Sequence, residues 1–251
     1  MGIVDTKVKV AGKTVGEYDI VPNPWVEEVY DDDGNLIAVE LHGHKKIRDN
    51  MFNGYYSLTT ITIPNSLTTI SNGVFGGCIG LTTISIPDSV TSIDDYAFSG
   101  CSGLTTITIP NSVTSIGSYA FSDCSGLTTI TIPKNVTSIK DGVFGGCRGL
   151  TTISIPDSVT TIGNSAFNSC SGLTTITIPN SVTSIGGYAF GYCTNLNSVI
   201  FKSKPSGTID KNTFRNCTNL TDIKVPWAKG AVANAPWGAT NATITYNYVG
   251  E

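Results

Sequence analysis

The stretch LTTITIPNSVTSIGSYAFSDCSG, residues Leu104–Gly126, decides the fold, because nearly the same 23 residues begin again at Leu127. Full units begin at Leu58, Leu81, Leu104, Leu127, Leu150 and Leu173. A degenerate unit begins at Leu36, a longer unit at Leu196 and a partial unit at Leu220. The same period places Phe52, Phe75, Phe98, Phe121, Phe144, Phe167, Phe190 and Phe214 in one series and Cys78, Cys101, Cys124, Cys147, Cys170, Cys193 and Cys217 in another. One unit cannot cover its own apolar residues, whereas stacked units cover one another. The sequence therefore predicts a repeat solenoid of about nine turns.

Within one unit, LTTITIP alternates apolar and β-branched polar residues, which is typical of a strand with one buried face. Pro110 cannot donate a ladder hydrogen bond and ends this strand, and NSVTSIG leads into a second short extended segment. A tight helical or irregular turn follows, and Gly126 lets the path bend back. The residues predicted to face the core are Leu104, Ile107, Ile109, Val113, Ile116, Ala120, Phe121 and Cys124.

The pattern L-T-T-I-x-I-P-x-S-V-T-S-I-x-x-x-A-F-x-x-C resembles the BspA-type, or Treponema pallidum-type, leucine-rich repeat over about Leu36 to Leu220. The resemblance implies a right-handed superhelix, mostly β with short helical turns, that is capped at both ends and has a parallel sheet on its concave face. Proteins of this type are similar in acting as surface adhesins for host or matrix proteins. The resemblance therefore implies a non-catalytic adhesion module on a bacterial surface or secreted from the cell.

The chain divides into three predicted parts. Residues 1–35 read as an N-terminal β-hairpin cap, with turns at Ala11–Lys13 and Asp31–Gly34. Residues 36–219 form the solenoid, and residues 220–251 form a partial repeat with an aromatic cap. The aromatic residues of this last part, which either cover the core or stack on sugars, are Trp227, Trp237, Tyr246 and Tyr248.

Composition excludes several classes of function. The net charge is -4, only 14% of residues are charged, and Lys and Arg lie mainly near the two ends, so no basic stripe for nucleic acid is expected. The first residues lack the apolar segment of a signal peptide, and no apolar run is long enough to span a membrane. A trimmed export signal and another route of export both remain open, as do a virion and the cytoplasm.

The seven cysteines permit three interpretations. Their period stacks them in one column inside the core, which favours free buried thiols that pack as small apolar groups. Disulfides between neighbouring turns would demand local twisting. A metal site needs converging ligands such as a C-x-x-C pair, and this sequence has none.

Catalytic and metal sites are weakly indicated. Glu40, His42 and His44 alternate on one predicted strand and are the candidate metal ligands, but positions two apart on a straight strand lie too far apart to converge on one ion. The repeats contain no His to activate their Ser and Thr residues, and their Asp residues are typical of turns. We expect no enzyme activity and no cofactor.

Two sets of residues are candidates for binding a protein or a glycan. The outward side of the sheet carries rows of hydroxyls that we name the Thr face: Thr60, Thr62, Thr83, Ser85, Thr106, Thr108, Thr129, Thr131, Thr152, Ser154, Thr175 and Thr177. The variable turns add Tyr96, Tyr119, Tyr188 and Tyr192. Identical rows suit a repetitive partner through many weak contacts. The alternatives are ice binding by the Thr array and a phage or prophage particle component for host recognition.

Overall fold

The computed structural model describes residues 26–43 and 46–249, which wind into a β-solenoid of about nine turns. Five of the six full units contribute a first strand from LTTITIP or its variant, the exception being the unit from Leu150, and all six add a two-residue second strand from the following extended segment. The strands are β1 (Val26–Tyr30), β2 (Leu36–Leu41), β3 (Thr60–Thr62), β4 (Thr69–Ile70), β5 (Thr83–Ser85), β6 (Ser92–Ile93), β7 (Thr106–Thr108), β8 (Ser115–Ile116), β9 (Thr129–Ile130), β10 (Ser138–Ile139), β11 (Thr161–Ile162), β12 (Thr175–Ile178), β13 (Ser184–Ile185), β14 (Ser198–Phe201), β15 (Asp222–Lys224) and β16 (Thr243–Thr245).

Successive turns pair in parallel with a shift of one repeat, as in Thr83 with Thr106 and Thr106 with Thr129. The first strands form the sheets β1-β2-β3, β5-β7-β9 and β12-β14-β15-β16, and the second strands form β4-β6-β8 and β10-β11-β13. The predicted parallel solenoid is confirmed. Its core is continuous, because every residue expected to face inward in the unit from Leu104 is buried.

The phenylalanines form a stacked column along the axis. Centroids of neighbouring Phe rings lie 5.1–5.9 Å apart from Phe52 to Phe214, with interplanar angles of 5–26°. Such pairs contribute about 0.5–1.5 kcal/mol each beyond area burial. The equal repeat length thus holds each ring against the equivalent ring of the next turn.

The cysteines form a second buried column, and all seven are free thiols, as predicted. Each Sγ also donates to a Phe carbonyl oxygen of the preceding turn: Cys124 Sγ lies 3.1 Å from Phe98 O and Cys147 Sγ lies 3.2 Å from Phe121 O. Burial raises the pKa of the Cys78 and Cys147 thiols to about 12. The thiols therefore connect neighbouring turns in their protonated form.

The far side of each turn differs from the predicted short helical turns, since the described residues contain no helix. Tyr119 has φ 57° and Asp123 has φ 58°, and equivalent positions repeat along the solenoid. A residue in the left-handed region interrupts a right-handed helix, so the chain runs through consecutive turns instead. Glycine at position 126 lets two neighbouring turns approach closely, because a Cβ there would lie 2.4 Å from the Ser102 carbonyl oxygen of the preceding turn.

The first described residues form a hairpin. Strands β1 and β2 are antiparallel, and β2 pairs in parallel with β3, so the hairpin continues the first sheet. In the predicted Asp31–Gly34 turn, Asp31 Oδ1 accepts from the Asn35 backbone N at 2.8 Å and from its side-chain Nδ2 at 3.2 Å. Hydrogen bonds from the Asn35 side chain and backbone lower the pKa of Asp31. The other predicted turn, Ala11–Lys13, lies outside the described residues.

At the opposite end, Trp237 takes the next place in the Phe column. Its fully buried ring lies 6.4 Å from that of Phe214 and 5.6 Å from that of Phe201, measured between centroids. Trp227 packs beside it at 6.5 Å and is also buried. Both indoles therefore cover the core, and little of either is open to a sugar. The division at residues 35 and 219 stays a prediction.

Candidate functional site

All members of the Thr face point to solvent. In β7 the pattern is exposed Thr106, buried Ile107, exposed Thr108, and it repeats in β3 and β5. The twelve predicted Thr and Ser residues are all exposed. Because the pleat places side chains alternately on the two faces, each buried Ile fixes the outward direction of the hydroxyls on either side of it.

The hydroxyls of the solenoid fall into two groups with different hydrogen bonding. Other Thr residues donate to a carbonyl oxygen of the preceding turn at 2.9–3.5 Å, namely Thr59, Thr91, Thr105, Thr114, Thr128, Thr160, Thr183 and Thr221. Members of the Thr face make no such bond to another described residue. Their hydroxyls remain available to donate to a ligand and to accept from one.

The backbone hydrogen-bond ladder of the first strands, which carry the Thr face, is interrupted near the middle of the solenoid. On the first-strand side, the pairing between the units from Leu127 and Leu150 is reduced to the single bridge between Thr131 and Ser154, whereas the second strands β10 and β11 of the same units pair at both of their residues. There Thr151 N lies 3.5 Å from Thr128 O, whereas Thr160 N lies 2.8 Å from Thr137 O on the second strands. The rows therefore stand on sheet segments and not on one unbroken sheet.

The second candidate surface is the turn face, formed by the turn after the second strand of each unit, such as residues 117–124. The rings of Tyr96 and Tyr119 stack with centroids 5.1 Å apart and planes 8° apart, and those of Tyr188 and Tyr192 lie 6.5 Å apart. Tyr96 is 47% exposed and Tyr192 is 46% exposed. The structure thus gathers the four predicted tyrosines into two aromatic pairs.

All four tyrosines adopt left-handed backbone conformations, with φ between 55° and 58°. Equivalent positions in other turns are occupied by glycine, as at Gly73 and Gly142. Sequence reasoning missed this conformation because Tyr gives no signal for positive φ. The glycines at the same place in the repeat were the available signal.

The candidate metal ligands fall at the edge of the described part. His42 Nε2 lies 3.9 Å from Glu40 Oε1, whereas His44 lies outside the described residues. Within residues 26–43 and 46–249, no group of three or more His, Cys, Asp or Glu side chains is placed to hold a metal ion. A metal site that includes His44 stays a hypothesis.

Two of the Asp carboxylates in the repeats accept hydrogen bonds from backbone N–H groups, which agrees with their interpretation as turn residues. Asp95 Oδ1 accepts from Ser118 N at 2.7 Å, and Asp141 Oδ1 accepts from Asn164 N at 2.7 Å. Each bond joins consecutive turns and satisfies a backbone donor. Burial raises the pKa of Asp94, and nearby carboxylates add to the effect. Asp95 and Asp141 therefore connect neighbouring turns.

A sequence profile of the BspA type leucine rich repeat region matches residues 45–173 and 138–232, with six copies. The chain belongs to the BspA-type leucine-rich-repeat family. Leucine-rich-repeat solenoids of this kind are generally non-catalytic. No helix in the described part of this BspA-type protein is long and apolar enough to cross a membrane.

Solved structures similar to this BspA-type protein come from several bacteria. A leucine-rich-repeat protein of Bacteroides ovatus matches with 22% identity and a TM-score of 0.48, over 91% of this chain and 77% of its own. The leucine-rich-repeat protein of T. pallidum matches with 25% identity and a TM-score of 0.45, over 81% and 83%. A leucine rich cell surface protein of Faecalibacterium prausnitzii matches with 25% identity and a TM-score of 0.40, over 84% and 75%. No curated protein matches the sequence.

Proposed function

We propose that this protein is a non-catalytic binding module, displayed on a bacterial surface or secreted, that holds a host or matrix protein or glycan against its Thr face. The observation that supports the proposal is the set of exposed hydroxyls on six consecutive units that have no hydrogen-bond partner among residues 26–43 and 46–249. At about 4.8 Å per turn, these rows extend for about 24 Å. The family resemblance is the support for a surface location.

The chemistry of the Thr face suits a long and repetitive partner. Each Thr offers a methyl group for apolar contact and a hydroxyl that donates and accepts. Because the hydroxyls are not committed to the protein, binding need not break an internal hydrogen bond. A single contact of this kind is weak, but equivalent contacts in register add up along an extended partner.

The test uses substitutions that place three Lys residues on the Thr face. A variant with Thr106→Lys, Thr108→Lys and Thr129→Lys adds charge and bulk at the centre of the rows. We expect its affinity for a partner found in a panel of matrix proteins and glycans to fall at least about tenfold, which corresponds to about 1.4 kcal/mol. Surface plasmon resonance measures the affinity, and circular dichroism checks the fold.

The matched control carries the same charge change at the residue that precedes the second strand in three units. Thr91→Lys, Thr114→Lys and Thr137→Lys lie on exposed positions that are not part of the Thr face. We expect this control to bind like the unmodified protein. Equal losses in the two variants would show a general charge effect, and unchanged binding in the first variant would exclude the Thr face as the binding surface.

Two alternatives stay predictions. Ice binding requires a continuous flat lattice, and the interruption at Thr131 and Ser154 argues against one. A role in a phage or prophage particle is tested by the neighbouring genes, where tail genes would favour it.

A further inference from the structure

We propose that the solenoid bends about its turn face and that the Thr face is the side that opens. Backbone hydrogen bonds join neighbouring turns at three places, which are the first strands, the second strands and the turn face. Of the five junctions between the six full units, the first-strand ladder is absent or reduced to one bridge at three, and the second-strand ladder is absent at one. The turn face is bonded at all five junctions. It is therefore the one ladder that runs unbroken through residues 58–195.

The hydrogen bonds of the turn face are short as well as continuous. Each junction between full units has three of them, with N–O distances of 2.7–3.0 Å. Between β3 and β5, where the first strands are not bonded, Phe75 N still lies 2.9 Å from Ala97 O and Gly77 N lies 2.7 Å from Ser99 O. The stacked Phe column lies directly behind these bonds. Hydrogen bonding and ring stacking therefore both resist the separation of turns on this side.

The first strands are joined less completely. In the bonded junctions, Thr105 N lies 3.1 Å from Thr82 O and Thr128 N lies 3.2 Å from Thr105 O. The equivalent distances from Thr151 N and Thr174 N are 3.5 and 3.4 Å, which is longer than an ordinary backbone hydrogen bond. Thr82 N has no acceptor among residues 26–43 and 46–249. The bonds behind the Thr face are therefore the weakest of those that join the turns.

The core is also less tightly covered under the Thr face. Ile84 and Ile107 point inward from the first strands, and each remains 7% exposed. By comparison, Ile93 on the second strand is 1% exposed, and Phe98 behind the turn face is fully buried. Close packing holds neighbouring turns at a fixed distance, so the looser side is the side on which that distance can change.

A bend that opens the Thr face is the bend of lowest cost. Thr82, Thr151 and Thr174 are exposed, so water can replace the backbone acceptor that each loses. A bend in the opposite direction would break the short bonds of the turn face and separate the Phe rings. The motion therefore changes the spacing of the Thr rows while the turn face keeps its length, and a partner that fits one spacing would select it. The bend itself does not rest on the proposed binding by the Thr face.

Amide hydrogen exchange of the full chain, followed by NMR at each residue, tests the bend. Thr82, Thr105, Thr151 and Thr174 are all exposed, and each follows Gly-Leu and precedes Thr, so their intrinsic exchange rates match. We expect Thr82 to exchange at least about tenfold faster than Thr105, because local opening differs between the two junctions. Thr151 and Thr174 should also exchange faster than Thr105. The turn-face amide of Phe75 should exchange more slowly than all four.

A disulfide across the Thr face tests whether the open junction can close. Thr60→Cys with Thr83→Cys joins β3 to β5, which are not bonded, and the matched control Thr83→Cys with Thr106→Cys joins the bonded strands β5 and β7. Neighbouring strands about 4.8 Å apart suit the Cα separation of a disulfide. Oxidised glutathione forms each bond by thiol–disulfide exchange and leaves as reduced glutathione, while the native thiols are buried.

We expect the disulfide at the open junction to slow the exchange of the Thr82 amide at least about fivefold, because it removes the local opening. The control disulfide should leave the exchange rate of Thr105 unchanged. Equal exchange at Thr82 and Thr105, a Phe75 amide that exchanges as fast as Thr82, or an unchanged Thr82 rate after oxidation would each overturn the proposal. A disulfide that forms in the control and not at the open junction would overturn it too, since the turns would then be unable to close.

Discussion

Alkaline pH should destabilise this protein through its column of buried thiols. Burial is the main cause of a raised pKa in Cys78, Cys101, Cys124, Cys147 and Cys170. The unfolded chain releases these protons near pH 8.5, whereas the folded chain keeps them. The stabilisation is therefore complete below about pH 8.5, declines as the pH rises above that value, and is exhausted only at the folded-state pKa.

The magnitude follows from linkage. Between pH 7.5 and 9.5 an unfolded thiol changes from about one-tenth to about nine-tenths ionised, which lowers the free energy of unfolding by about 1.4 kcal/mol per thiol that stays protonated in the fold. Five such thiols sum to about 7 kcal/mol, a large part of a typical stability of about 5–15 kcal/mol. The figure depends on the unfolded-state pKa alone as long as the folded thiols remain protonated.

A single variant isolates the effect. Cys124→Ala loses sulfur burial and the bond to Phe98 O, and we expect it to cost about 1 kcal/mol at pH 7.5. At pH 9.5 the cost should vanish or reverse, because the variant no longer releases a proton from this position when it unfolds. Urea denaturation under reducing conditions, followed by circular dichroism, gives both free energies, and other titrating groups cancel in the comparison.

The control is Val113→Ala, a buried substitution in the same turn without a titrating group, whose cost should be equal at the two pH values. An equal cost of Cys124→Ala at both pH values would refute the reasoning. It would mean that the folded thiol ionises as readily as the unfolded one.

Two further substitutions test the packing between turns. Phe121→Ala should cost about 4–5 kcal/mol, the upper part of the range for such changes, because the ring stacks on both faces, while Phe121→Leu should cost less than about 2 kcal/mol in the same urea assay. Gly142→Ala should destabilise by about 1–2 kcal/mol from its φ of 62°, and more because its Cβ meets the Tyr119 ring. In a Tyr119→Gly background that cost should fall by at least about 0.5 kcal/mol, and an unchanged cost would contradict the contact.

The 23-residue repeat correctly predicted which side chains form the core of the solenoid. An equal spacing places identical residues one above another, so the columns of Phe121 and Cys124 follow from the period alone. The exposed rows of the Thr face follow from the same period combined with the alternation of a strand. Neither inference needed the detailed path of the chain between strands.

Contacts that depend on how one turn sits against the next were not accessible from the sequence. The bond from Cys124 to Phe98 O joins residues 26 positions apart, so it depends on the offset between turns and not on the 23-residue period. The close approach of Gly126 to the Ser102 carbonyl oxygen depends on the same offset. The left-handed conformation at Tyr119 was missed because it is a property of the turn, which the repeat keeps while the residue changes.

This last difference gives the turn face, unlike the Thr face, a different set of side chains in each unit. Core columns exclude variation because each side chain packs against its counterparts in both neighbouring turns. The strand positions repeat the same hydroxyls and offer the same contact many times. Only the turns can change residue without disturbing the stack, and at their left-handed positions glycine is the residue of lowest strain. A tyrosine at such a position therefore carries a backbone cost relative to glycine, which the stacking of the Tyr96 and Tyr119 rings offsets.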